Sequence, residues 1–91
     1  MNFGWELRKA ASNLEKHGVS FEEAVTAFDD ARARIFPDLT HSEGEDREIL
    51  VGFSARHRLL LVSFTERDEM VRIISARTAT PRERRKHEEN S

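Results

Sequence analysis

Three short apolar runs crowd the second half of the chain: EILVGFS at 48–54, LLLVSFT at 59–65 and MVRIISA at 70–76. Each has the length and the β-branched or aromatic content of a strand. Only four residues, ARHR and then ERDE, separate each run from the next. Connections that short leave consecutive strands one arrangement, antiparallel pairing in a meander. Upstream, RIFP at 34–37 reads as a further short strand, ended or edged by its proline.

The first third of the chain is helical. Leu7, Ala10, Ala11 and Leu14 recur at the spacing of one helix face. Gly18 supplies the left-handed stop, with Val19 placed to touch Leu14. Ser20 and Glu23 then form a capping box that opens a second helix, with Phe21, Ala24, Val25 and Phe28 as its apolar stripe. KHGVSFEEA is thus a helix stop and a helix start in tandem. Near the C-terminus Thr80 and Glu83 form another capping box, with Pro81 at the first helical position. The helix that follows, RERRKHEE, has almost no apolar face, so it must dock weakly, lie on a partner or fray. The expected class is α+β in a single domain over 1–91: two N-terminal helices on one face of a four-stranded, mainly antiparallel sheet, then a short C-terminal helix.

Composition narrows the function classes. The absence of cysteine excludes disulfides, thiol catalysis and cysteine-based zinc sites. No apolar run reaches the ~20 residues of a membrane helix. The start, MNFGWELRKA, lacks the apolar centre of a secretory signal. A cytoplasmic protein with no membrane association is expected. The net charge of −2 hides an asymmetry: residues 1–46 sum to −5 and residues 47–91 to +3. Twelve of the fifteen basic residues are arginine, whose planar fork suits phosphate and whose face stacks on bases. The C-terminal half is a plausible phosphate-facing half, and a merely solvated surface is the plainer reading.

Strand alternation brings out individual candidates. In 59–65, Leu60, Val62 and Phe64 share the face expected to meet the helices, leaving Ser63 and Thr65 opposite. In 70–76, Arg72 is a candidate for the polar face, or else an ordinary cross-strand partner of Glu48. Arg72 and Arg77 are five apart, an odd separation that puts them on opposite faces of a regular strand. They share a face only if Arg77 lies past the strand end or a bulge intervenes.

The densest group of reactive types is HSEGEDR at 41–47, an imidazole, carboxylates and an arginine on a loop entering a strand. The plainer reading is an acidic solvated loop. Lys16 and His17 close the first helix, where cations favour its dipole; a functional role is the sharper reading. His57 and His87 read as solvated. Trp5 anchors the first helix to the sheet, with base stacking as the alternative. There is no Gly-rich phosphate loop, nucleophile elbow, dinucleotide fingerprint or metal-ligand spacing, so no cofactor and no metal are expected.

Together these stretches resemble the BrnT family of toxins from type II toxin–antitoxin modules. The resemblance runs over nearly the whole chain: the Trp5 region, NLEKHGVSFEEA at 13–24, Phe28-Asp29-Asp30, Asp38, His41, Glu45, Arg47, Gly52, Thr65-Glu66-Arg67, RIISAR at 72–77 and Glu83. The chain departs from the pattern at Ala31, where the family often has proline, and at His87, where it often has tyrosine. The resemblance implies a RelE-like fold and a metal-independent endoribonuclease that blocks translation. It also implies a ribbon-helix-helix antitoxin of the BrnA type, with DNA bound only through the toxin–antitoxin complex. Cleavage of RNA needs a base for the 2′-hydroxyl, cations for the phosphorane and an acid for the leaving 5′-oxygen. The catalytic candidates are Arg72 and Arg77 for the phosphate and His41 or Glu45 for proton transfer. Lys16, Arg47 and Arg67 are candidate RNA contacts. The competing classes are a catalytically inactive RelE-like module acting only as antitoxin partner, and a nucleic-acid binder working through its arginine-rich half.

Overall fold

The computed structural model describes residues 1–40 and 46–89. Strand β1 (Asn2–Gly4) leads into helix α1 (Leu7–His17) and helix α2 (Phe21–Thr26), which runs on into a 3-10 turn at Ala27–Asp29. Strands β2 (Arg34–Pro37), β3 (Arg47–Phe53), β4 (Leu59–Arg67) and β5 (Met70–Thr78) follow, and helix α3 (Pro81–Glu89) closes the chain. The sheet order is β1-β5-β4-β3-β2. The meander from β2 to β5 is antiparallel, while β1 pairs parallel with β5. The sheet therefore has five strands and is mixed, not four-stranded. The added strand has only three residues, too few for any alternation to declare it.

The core lies between α1, α2 and one sheet face. Val19, Phe21, Ala24 and Ala27 meet Leu50, Leu60, Val62, Phe64, Val71, Ile73 and Ala76. Phe3, Phe28 and Phe64 form a chain of edge-to-face ring contacts at 5.0 and 5.1 Å. Trp5 meets Phe21 in the same way at 5.8 Å.

The face of α1 turned to the sheet is not the leucine stripe. Leu7 is 81 % exposed and Leu14 is also exposed, whereas Asn13 is 5 % exposed. The cause is the free edge of β5 beyond its short pairing with β1. Asn13 donates from Nδ2 to the Ala76 carbonyl at 2.7 Å, and its Oδ1 accepts from the Ala76 N–H at 3.0 Å. One side chain thus stands in for a missing strand neighbour.

The tandem helix signal works differently from a full capping box. Ser20 caps α2 by accepting from the Glu23 N–H, but the Glu23 carboxylate does not reciprocate. It accepts instead from Ser54 Oγ at 2.6 Å and from two nitrogens of Arg58. The second box, at α3, is complete: Thr80 Oγ1 accepts from Glu83 N–H and Glu83 Oε1 accepts from Thr80 N–H.

Gly52 lets the 3-10 turn lie on the sheet. A Cβ there would stand 2.9 Å from the Ala33 Cβ and 3.1 Å from the Ala27 carbonyl oxygen. Gly52→Ala is expected to destabilise the fold by about 1–3 kcal/mol, since neither neighbour is a flexible tip. An unchanged urea midpoint would contradict this close approach.

An arginine face and its candidate active site

The sheet face away from the core is built by register. Phe64 pairs with Ile73, but its neighbour Ser63 pairs with Ser75, so Ile74 is the extra residue of a bulge. The bulge shifts the alternation of β5 by one. Val71 and Ile73 before it and Ala76 after it all face the core, and Arg72 and Arg77 consequently both face outward. Arg77 does this from within the strand, not from an exit loop.

The same register extends across the sheet. Arg47 pairs with Thr65, which pairs with Arg72; Arg34 pairs with Val51, Val51 with Leu61, and Leu61 with Arg77. Arg67, two residues beyond Thr65, lies on this face as well. Every arginine of the strands therefore lies on one face. The two strand glutamates, Glu48 and Glu66, pair with the core residues Phe64 and Val71 and lie on the other.

Arg72 does not pair with Glu48, which is on the wrong face. The parallel register of β1 brings Glu6 to it instead, at 3.0 Å. Both groups are well exposed, and such a bridge contributes at most about 1 kcal/mol, so separating Arg72 from Glu6 costs little. Arg77 is held more firmly, by a two-pronged bond to Glu83 at 2.8 and 2.9 Å. The guanidinium lowers the Glu83 carboxyl to about 2, with the Thr80 N–H adding to the effect against burial. Glu83 is thus a poor base near neutral pH, and its role is to orient Arg77. Nη1 of Arg77 also donates to the Thr78 carbonyl, which leaves two of its five N–H donors for a ligand. Along β4 the partners of Arg72 and Arg77 are four residues apart, about 13 Å, so the two arginines do not converge on one point.

Helix α3 covers one end of this face, so helices lie on both sides of the sheet. Its His87 ring stands against the Phe53 ring at 6.1 Å, and Arg84 lies over the Phe53 ring at 5.6 Å. His87 is buried, against the expectation of a solvated tail residue. Beside α3 a cleft of about 280 Å³ is lined by His17, Ile49, Leu61, Ser63, Ser75, Ala76 and Arg77. It brings an imidazole, a guanidinium and two hydroxyls to one place. A depression of about 400 Å³ at Ala31–Arg34 offers no acid or base.

Of the sequence candidates, Arg77 lines the cleft, and Arg47, Arg67 and Arg72 lie further along the same sheet face. Lys16 is exposed and does not line it; the next residue, His17, does. His17 had only its helix-end position to mark it, because the strand it faces is distant in sequence. His41 and Glu45 lie outside the described residues. Among the described residues on either side of them, Asp38 N–H donates to the Arg47 carbonyl at 2.9 Å.

The model of one family, described as "Ribonuclease toxin, BrnT, of type II toxin-antitoxin system", matches residues 5–83. The chain belongs to the BrnT family of ribonuclease toxins. Membership implies an antitoxin partner. The fold agrees: the crystal structure of the Brucella abortus ribonuclease toxin BrnT is similar, with a TM-score of 0.70 and 25 % sequence identity. The likeness covers 88 % of this chain and 97 % of that one. A search of curated proteins found no match. The matched stretch includes β3 to β5 and ends at Glu83, the residue that orients Arg77. No described helix is long and apolar enough to cross a membrane.

Proposed function

We propose that this BrnT-family chain cleaves RNA without a metal ion, at the cleft formed by His17, Ser63, Ser75 and Arg77. The observation that carries the reading is the bulge at Ile74, which turns Arg77 to the face of the other strand arginines and into one cleft with the His17 imidazole. Arg77 holds the scissile phosphate and stabilises the charge of the phosphorane. Arg72, Arg47 and Arg67 hold flanking phosphates, as their spacing along the sheet suggests. The 2′-oxygen attacks phosphorus as its proton leaves to a base, and the 5′-oxygen departs with a proton from an acid. His17 takes one of these transfers and His41 or Glu45 the other. The products are a 2′,3′-cyclic phosphate and a 5′-hydroxyl. Lys16, at the same helix end, adds positive charge for the approaching strand.

The partner proposed is a ribbon-helix-helix antitoxin of the BrnA type that blocks cleavage and supplies the DNA contacts of the complex. The test uses the purified full chain and a defined mRNA in EDTA. Discrete fragments ending in cyclic phosphate are expected, reduced at least tenfold by Arg77→Ala and lost in the Arg72→Ala, Arg77→Ala pair. Intact RNA with the native chain, or undiminished cutting by the double variant, sinks the assignment.

A further inference from the structure

Next to the cleft lies a second cavity, of about 330 Å³, between the β2–β3 edge and α3. Its wall is apolar, with Phe36, Ile49, Val51 and Leu61, and its rim carries Arg34, Lys86, Glu83 and His87. We propose that this cavity receives one nucleobase of the RNA strand, stacked on Phe36 and read at its polar edge by His87. The proposal rests on the ribonuclease reading of the arginine face.

Three observations point to a base. Phe36 is a large aromatic left 48 % exposed, on a strand with arginine at its start, where burying it inside the fold would have been the favoured outcome. His87 is only 7 % exposed, and its Nε2 is buried with no hydrogen-bond partner. A buried polar atom left unpaired is costly, and since His87 lines the cavity, a small turn of its ring toward a bound base edge supplies the missing bond. Finally, the cavity shares Ile49 and Leu61 with the cleft of His17 and Arg77. A strand whose phosphate sits at Arg77 therefore has a neighbouring base within reach of Phe36. An aromatic platform in a groove flanked by arginine and lysine is the usual construction of a single-strand site. The size, at the small end of ligand pockets, suits one ring system and not a longer segment. A protein side chain could fill the apolar wall, but the strand arginines around it favour an anionic chain.

The test measures binding of the purified chain to a fluorescent 2′-O-methyl oligonucleotide, which lacks the attacking hydroxyl and stays intact. Phe36→Ala is the first variant, since a half-exposed side chain is removed without emptying the core. Binding is expected to weaken about tenfold or more. An abasic residue walked along the oligonucleotide should cost the native chain a similar factor at one position, and cost the Phe36→Ala chain nothing further there. His87→Gln is expected to change which base is preferred at that position. If Arg77→Ala weakens binding but Phe36→Ala and the abasic series do not, the cavity is not a base site and the ribonuclease reading survives; the apolar wall then belongs to a protein contact. If the native chain does not bind the oligonucleotide, the reading of the arginine face fails and takes this proposal with it.

Discussion

Glu23→Ala is expected to lower the unfolding free energy by about 3 kcal/mol, read as a shift in the urea midpoint. The Glu23 carboxylate is 5 % exposed at the side chain and holds Arg58, which also donates to the Gly18 carbonyl. It also accepts from Ser54, so one carboxylate ties the α1–α2 corner to the turn between β3 and β4. Removing it leaves the Ser54 hydroxyl and the Arg58 guanidinium without their shared acceptor; Arg58, 32 % exposed, keeps only the Gly18 carbonyl and water in its place.

The same group predicts a pH dependence. The Arg58 hydrogen bonds hold the Glu23 carboxyl below its usual value, with Ser54 helping and burial opposing. A carboxyl lowered in the folded state binds protons more readily when unfolded. Its contribution is therefore complete above the unfolded value of about 4.5 and is lost as pH falls through the folded one. Glu83, lowered to about 2, acts in the same direction between 4.5 and 2. Glu23→Gln should make the fall in stability below pH 5 shallower without flattening it. A variant whose midpoint tracks the native one at every pH would show that Glu23 is not the anchor of this corner.

Asn13→Ala is the second large effect, about 3 kcal/mol by the same measurement. Three hydrogen bonds go: to the carbonyls of Val19 and Ala76, and from the Ala76 N–H. Each buried backbone group left unpaired costs on the order of 1–3 kcal/mol. Asn13→Asp keeps the acceptor for the Ala76 N–H but sets a carboxylate against two carbonyls, so it should be at least as damaging. The Ala76 amide, bonded to Asn13 Oδ1 in the native chain, should exchange faster in Asn13→Ala. Since Ala76 lies between the bulge and Arg77, RNA cleavage by the folded fraction should drop as well. Native exchange at Ala76 in Asn13→Ala would mean that the helix does not hold the strand there.

Much of the fold was legible because its signals are local. Gly18, Ser20 and the Thr80–Glu83 pair each act within a turn of the chain, and the ARHR and ERDE connections leave little choice of strand partner. The ERDE turn does depart from preference: Asp68 and Glu69 both take positive φ, at 52° and 65°, a conformation the tight hairpin demands and glutamate adopts reluctantly. The site was only partly legible. Arg77 and Arg72 were visible as candidates, but alternation alone set them on opposite faces. His17 and His87 read as a helix-end cation and a solvated tail residue, because the surfaces they meet are assembled from β3, β4 and β5.

The sequence by itself determined the helical corner, the antiparallel meander and the family. These follow from capping chemistry, period-two patterning and motifs read over a few residues. Tertiary structure alone decided the bulge at Ile74, the parallel pairing of β1, the turning of Asn13 and not the leucines toward the sheet, and the docking of α3 over the arginine face. The helix placements and β1 give backbone or charged groups partners from another element, as Ala76 has Asn13, Arg72 has Glu6 and Arg77 has Glu83, and the bulge is set by how β5 registers on β4. Demands of that kind exist only once the strands have been brought side by side.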